Sequence, residues 1–164
     1  MKLLLHTLIA AHSRYVVYLK RDSSGVPLYP WADNLAICPT ANFALEPIFV
    51  PGEAPTTEEV AERVSPYLQP YHDKLSELVE LLKGEAGRCV LFDAHSIRSQ
   101  VPRFFEGTLP DINLGTAGGL SASSDLIHRV MKELGESPNR TAVLDGRFQG
   151  GYITRHYGNP EEDV

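Results

Sequence analysis

The longest periodic stretch of the chain runs from Thr56 to Leu82. Apolar residues recur there at Val60, Val64, Leu68, Tyr71, Leu75, Leu78, Val79 and Leu82. Steps of three and four place them on one face of a helix. Thr56-Thr57-Glu58-Glu59 supplies a start signal, a capping box in which a hydroxyl and a carboxylate satisfy free backbone N–H groups. Pro66 and Pro70 each remove a backbone donor inside the run, which predicts a break or kink. Gly84 predicts the stop. A second helical period, Leu126, Ile127, Val130, Met131 and Leu134, predicts a helix from near Ser121 or Ser123 to Gly135.

Other stretches lack that period. Arg14-Tyr15-Val16-Val17-Tyr18-Leu19 is rich in β-branched and aromatic residues and predicts a strand. Arg88-Cys89-Val90-Leu91-Phe92-Asp93 is a continuous apolar run ending in a polar cluster, the pattern of a strand buried on both faces. Thr141 to Leu144 predicts a short strand. Arg21 to Pro55 has no helical period and contains Pro27, Pro30, Pro39, Pro47, Pro51 and Pro55. Loops of that length inside a domain are often functional. The order strand, helix, strand, helix, strand predicts α/β layers in a single domain over residues 1–164.

Composition narrows the function classes. Hydrophobic residues at 43% and charged residues at 22% exclude a disordered or coiled-coil chain. A net charge of -6 argues against a general nucleic-acid binder, which needs a basic footprint to displace counterions. Cys38 and Cys89 lie far apart, so neither a disulfide framework nor a zinc knuckle is predicted, and a reducing cytoplasm is the expected compartment. No apolar run is long enough to span a membrane. Met1-Lys2-Leu3-Leu4-Leu5 is interrupted by His6 too soon to predict a secretory leader.

Candidate chemistry clusters in the second half. In an extended chain Asp93 and His95 point to the same side, presenting a carboxylate and an imidazole at the C-terminal end of a predicted strand. Ligands bind outside that edge in open α/β sheets, so the imidazole reads as a metal ligand, with the carboxylate as co-ligand or orienting group. The alternative is a turn cap and a structural hydrogen bond. Arg98 and Arg103 follow closely, with guanidinium forks suited to carboxylates or to a solvated surface. Pro110 to Thr116 and Gly118-Gly119 form a polar, flexible stretch. Asp145-Gly146-Arg147-Phe148-Gln149-Gly150-Gly151-Tyr152-Ile153-Thr154-Arg155-His156-Tyr157-Gly158 mixes glycines with two arginines, a histidine and tyrosines. It reads as a recognition loop for a small anion with more than one carboxylate, or as an irregular surface loop. No dinucleotide glycine fingerprint, P-loop or nucleophile elbow is present. His6, His12, His72 and His128 read as surface or packing residues, and neither cysteine has an evident base partner.

These blocks carry a resemblance. Asp93-Ala94-His95-Ser96-Ile97-Arg98-Ser99, Val101-Pro102-Arg103-Phe104-Phe105-Glu106-Gly107 and Leu109 to Thr116 resemble the central block of N-formylglutamate amidohydrolases. Gly146-Arg147-Phe148 and Gly150 to Gly158 resemble the family's next motif. Upstream, Ser13 to Val17, Leu28-Tyr29-Pro30, Cys38-Pro39-Thr40 and Pro70-Tyr71-His72-Asp73 extend the similarity over nearly the whole chain.

The resemblance implies hydrolysis of N-formyl-L-glutamate to formate and L-glutamate, the last step of one histidine-degradation route. It implies an α/β fold, a mixed sheet flanked by helices, related to zinc-carboxypeptidase-like (phosphorylase/hydrolase-like) hydrolases and incomplete here. A divalent metal, zinc by expectation, would activate water. Asp93 and His95 are the implied catalytic residues, with His95 as metal ligand. Arg98, Arg103, Asn113, Arg147, Tyr152 and Arg155 are the implied contacts to a small dicarboxylate. The matched motifs are those of an internal portion of the family, with other metal ligands outside it. A catalytically inactive chain that binds small dicarboxylates or a partner protein is therefore the alternative, and low stability or self-association is expected.

Overall fold

The computed structural model describes residues 5–26 and 36–164. The leader-like Met1 to Leu4, the prolines at 27 and 30 and the Leu28-Tyr29-Pro30 block lie outside these residues. The chain divides into two compact units, Met1–Leu81 and Leu82–Val164.

Helix α1 (Thr57–Arg63) starts where the capping box places it. The Thr56 hydroxyl accepts from Glu59 N–H at 3.2 Å, and the Glu59 carboxylate accepts from Thr56 N–H at 2.7 Å. The α-helix is interrupted where the prolines predict it. Val64–Leu68 widens into a π turn, with Gln69 N–H reaching back five residues to Val64 O. A proline ring crowds the carbonyl one turn back, and a wider turn relieves that crowding. Helix α2 (Gln69–Ala86) continues from there and passes straight through Gly84. It ends before Gly87, whose φ of 75° and N–H bond to Lys83 O at 2.8 Å form the left-handed stop.

The first unit's core holds Val17, Leu19, Cys38 and Leu68, with Ile37, Val60, Val64, Tyr67 and Tyr71 packed against it. The strand expected over Arg14–Leu19 is a series of turns, with Val16 N–H bonded to Ser13 O and Arg21 N–H to Tyr18 O. Val17 and Leu19 still alternate inward. Two of the segment's carbonyls, however, are taken by side chains. Val16 O accepts from Cys38 Sγ at 3.1 Å and from Arg63 Nη1 at 3.3 Å. Leu19 O meets His72 Nε2 at 2.8 Å, and since a carbonyl only accepts, that nitrogen carries the proton. Buried backbone groups need partners, not a sheet as such. His72 is thus the packing residue the sequence suggested. Residues 36–55 contain no helix or strand beyond an isolated antiparallel bridge, Ala41 to Pro47.

Cys38 and Cys89 are both free and buried. Burial pushes both thiols above the ordinary cysteine range, against the pull of Arg63 on Cys38 and of Lys83 on Cys89.

The second unit is built on a βαβ arrangement. Strands β1 (Ile112–Leu114) and β2 (Ala142–Leu144) pair in parallel with Ile112 opposite Ala142, and helix α3 (Ser124–Gly135) joins them. The mixed sheet expected from the sequence is, among the described residues, this two-stranded parallel pair. Helix α3 starts at Ser123, whose hydroxyl accepts from Leu126 N–H at 3.3 Å. Its predicted apolar face, Leu126, Ile127, Val130, Met131 and Leu134, is half-buried throughout. Short helix α4 (Tyr152–Tyr157) follows β2, then a 3-10 turn at Pro160–Glu162. Val101, Phe105 and Ile153 are buried. Among the described residues, no helix is long and apolar enough to cross a membrane.

The strand expected over Arg88–Asp93 does not form. Cys89 is buried, but Val90 is 63% and Phe92 74% exposed, so one side of this run is open to solvent. An apolar run becomes a strand only where a neighbour completes its ladder, and Cys89 N–H bonds to Asp163 O instead.

A three-residue strand pair needs support at its ends. Before the strands, one Asp111 carboxylate oxygen accepts from both the N–H and the hydroxyl of Thr141, each at 2.8 Å, while Asp111 N–H donates to the Thr141 hydroxyl at 3.0 Å. The backbone N–H of Thr141 and then its hydroxyl hold the Asp111 carboxyl below its ordinary 3.8. A carboxyl lowered on folding stabilises above its unfolded pKa and loses that contribution as pH falls through the folded value. Asp111→Asn is therefore expected to be less stable than wild type above about pH 4, with the gap closing in more acid solution. Urea titrations across that range check this, and a gap independent of pH would contradict it.

Candidate functional site

Parallel strands bring their carboxyl ends to one edge, where α/β folds place ligands. At this edge the loop after β1 meets the loop after β2. Thr116 is only 3% exposed. Its N–H donates to Asp145 Oδ1 at 2.6 Å, and its hydroxyl donates to Asp145 Oδ2. The same hydroxyl accepts from Gly119 N–H at 3.0 Å. Asp145 holds a left-handed backbone, φ 45°, and its N–H returns to Leu114 O at 2.8 Å. An Asp–Thr clamp thus closes each end of the strand pair.

Further bonds lock the two loops. Ala117 N–H donates to Gln149 O at 2.6 Å. The Asn113 side-chain amide donates to Phe148 O at 2.5 Å and accepts from Phe148 N–H at 3.4 Å. The backbones touch at Gly115, where an added Cβ would lie 2.5 Å from Gly150 N. Ala117, Gly118 and Gly119 are consecutive left-handed residues. They lead to Leu120, which is 75% exposed. Arg155 Nε donates to Gly150 O at 3.3 Å. Ala117, Leu120, Ser121, Arg155 and Gly158 line a small open cleft of ≈ 110 Å³. A guanidinium at the wall of a cleft this small suits a single carboxylate.

The residues expected from the sequence separate into groups. Arg155 sits in the cleft. Tyr152, on the same helix, stacks on His156 with ring centres 4.9 Å apart. Arg147 is exposed and lies over the Phe105 ring at 5.7 Å. Asn113 orders the Arg147-Phe148 segment through its amide. Arg103 is half-buried and lies over Phe104 at 5.3 Å, while Arg98 is exposed. Asp93 is half-buried and His95 exposed. Because the strand that was to carry them is absent, they do not stand at a sheet edge. Among the described residues, no group of three or more His, Cys, Asp or Glu side chains is placed to hold a metal ion.

Thr116 and Asp145 were not among the expected site residues. Asp145 directly follows β2, the same position after a predicted strand that singles out Asp93 in the sequence.

Fold and site define an α/β protein whose polar loops gather at the carboxyl edge of a parallel pair. The N-formylglutamate amidohydrolase family model matches residues 1–164, and the chain belongs to that family. The N-formylglutamate deformylase of Pseudomonas aeruginosa is 44% identical over 158 residues, covering 96% of this chain and 59% of that protein. The N-formylglutamate deformylase of Pseudomonas putida is 41% identical over 155 residues, covering 94% and 58%. The crystal structure of N-formylglutamate amidohydrolase from Ralstonia eutropha JMP134 superposes with a TM-score of 0.68 at 23% identity, covering 92% of this chain and 58% of that one. That likeness is one of fold. The chain spans less than two thirds of the length of each of these relatives.

Proposed function

We propose that this chain serves hydrolysis of N-formyl-L-glutamate, with the loops after β1 and β2 forming its carboxylate-binding part. Water would cleave the formyl C–N bond, its hydroxyl going to the formyl carbon and its proton to the amine, to give formate and L-glutamate. The observation that carries the reading is Arg155, fixed to Gly150 O at the wall of a small cleft, in a chain whose relatives are named for this reaction. Arg147 and Tyr152 share the same loop and helix, and Asn113 holds that loop in place. Arg98 and Arg103 are the remaining proposed carboxylate contacts.

The zinc-carboxypeptidase-like fold, the place in histidine degradation and the cytoplasmic compartment belong to the same proposal. So does a divalent metal, zinc by preference, with His95 as one ligand and Asp93 beside it. Catalytic zinc takes three protein ligands, and the described residues do not gather that many. The role of this chain's own residues is therefore binding and orientation. The same observation favours a second reading, a chain that binds small dicarboxylates without turning them over.

Calorimetric titration with N-formyl-L-glutamate, alongside a formate-release assay with added zinc, tests both. Charge-assisted bonds are worth about 1.5–3 kcal/mol, so Arg155→Ala is expected to weaken binding by about tenfold or more. Equal affinity in wild type and Arg155→Ala would sink the site assignment. Binding without formate release would select the second reading.

A further inference from the structure

We propose that Asp145 is a positioning residue for the Arg155 cleft, acting through Thr116. This rests on the dicarboxylate reading above and adds a residue that touches no ligand in it. Asp145 holds the loop after β1 through Thr116, and that loop supplies Ala117, Leu120 and Ser121 to the cleft. The chain of bonds is continuous. The Asp145 carboxylate holds the Thr116 N–H and hydroxyl, the hydroxyl holds Gly119 N–H, and Thr116 O accepts from Gly119 and Ser121 N–H at 3.1 and 3.0 Å. On the other side, Ala117 N–H holds Gln149 O, one residue before the Gly150 carbonyl that anchors Arg155. One carboxylate therefore ties both walls of the cleft.

The local conformation gives a reason for such a tie. Ala117 and Asp145 are non-glycine residues at positive φ, a conformation that costs free energy and persists where surrounding bonds over-determine it. Without the carboxylate, Thr116 keeps a buried N–H with no acceptor, and the left-handed run from Ala117 to Gly119 loses its anchor. Asparagine in place of Asp145 offers one acceptor oxygen for two donors, so it should hold the loop partly.

Four variants decide this: Asp145→Ala, Asp145→Asn, Thr116→Val and Thr116→Ser. Hydrogen exchange of the peptide covering residues 116–121 is measured with the affinity for N-formyl-L-glutamate at 25 °C and the melting temperature. Asp145→Ala and Thr116→Val are expected to speed exchange there at least tenfold and weaken binding at least fivefold. Thr116→Ser keeps the hydroxyl and the N–H, so it should bind like wild type, and Asp145→Asn should fall between. A folded Asp145→Ala with a lower melting temperature but unchanged affinity would overturn the proposal. Should Asp145→Ala fail to fold, wild-type affinity and exchange in Thr116→Val would overturn it equally. Where wild type itself does not bind N-formyl-L-glutamate, the dicarboxylate reading falls. The positioning claim is then decided by the NMR signal of Arg155 Nε–H, expected to be sharp in wild type and broadened in Asp145→Ala.

Discussion

Gly115→Ala is expected to destabilise the second unit by about 3 kcal/mol and to abolish carboxylate binding. The methyl carbon would sit 2.5 Å from Gly150 N, 3.0 Å from Gln149 C and 3.0 Å from Gly150 Cα. All three are backbone atoms, so no side chain can rotate away. The loops must separate instead, and their separation strains Ala117 N–H to Gln149 O at 2.6 Å, together with the Asp145 clamp. Gly135→Ala is the matched control, because open space surrounds that position. Denaturant titrations of both variants check this. A Gly115→Ala protein as stable as Gly135→Ala would show that the two loops do not pack as described.

The same contact explains what the sequence could and could not reveal. Periodic patterns with end signals were legible: Thr56 with Glu59 opened α1, Ser123 opened α3, and both structural elements appear there. The short strand at Thr141–Leu144 was legible from its composition, and β2 occupies Ala142–Leu144. The β1 strand was not, because three residues, Ile112–Leu114, are too few to establish a period of two. Two strands were expected and do not exist. Arg14–Leu19 has the residues of a strand, but Cys38, Arg63 and His72 from distant positions take two of its carbonyls. Arg88–Asp93 has the apolar run, but no neighbouring strand among the described residues. Strand formation depends on a partner elsewhere in the chain, and composition does not name the partner.

Site legibility followed the same division. The ordered blocks from Asp93 to Thr116 and from Gly146 to Gly158 were enough to point to the family. Within the site, Arg155 stands out in the sequence by its charge in a glycine-rich loop, and it does line the cleft. Thr116 and Asp145 each stand at one end of a polar stretch legible in the sequence, but their pairing is not legible, because it joins residues 29 apart in the chain. A glycine such as Gly115 likewise advertises flexibility, while its role here is to leave room for Gly150.

Ile153→Ala is expected to cost about 2–5 kcal/mol, and Ile153→Val about 0.5–1.5 kcal/mol. Ile153 is 2% exposed and is the one buried residue of α4. A six-residue helix has too few internal bonds to stand alone, so its docking depends on that side chain. Its neighbours on the helix face outward chemistry: Tyr152 stacks on His156, and Arg155 lines the cleft. Losing the anchor should therefore lower stability and affinity together. Arg155→Ala should lower affinity alone, since its exposed side chain contributes little to packing. Urea denaturation paired with calorimetric titration separates the two cases. If Ile153→Ala were as stable as wild type, α4 would have to be held by its single turn and by the Gly158 contact with Ser121, and the cleft would owe its shape to backbone packing alone. If instead Ile153→Val kept affinity while Ile153→Ala lost it, the buried side chain's volume would be the quantity that sets where Arg155 stands.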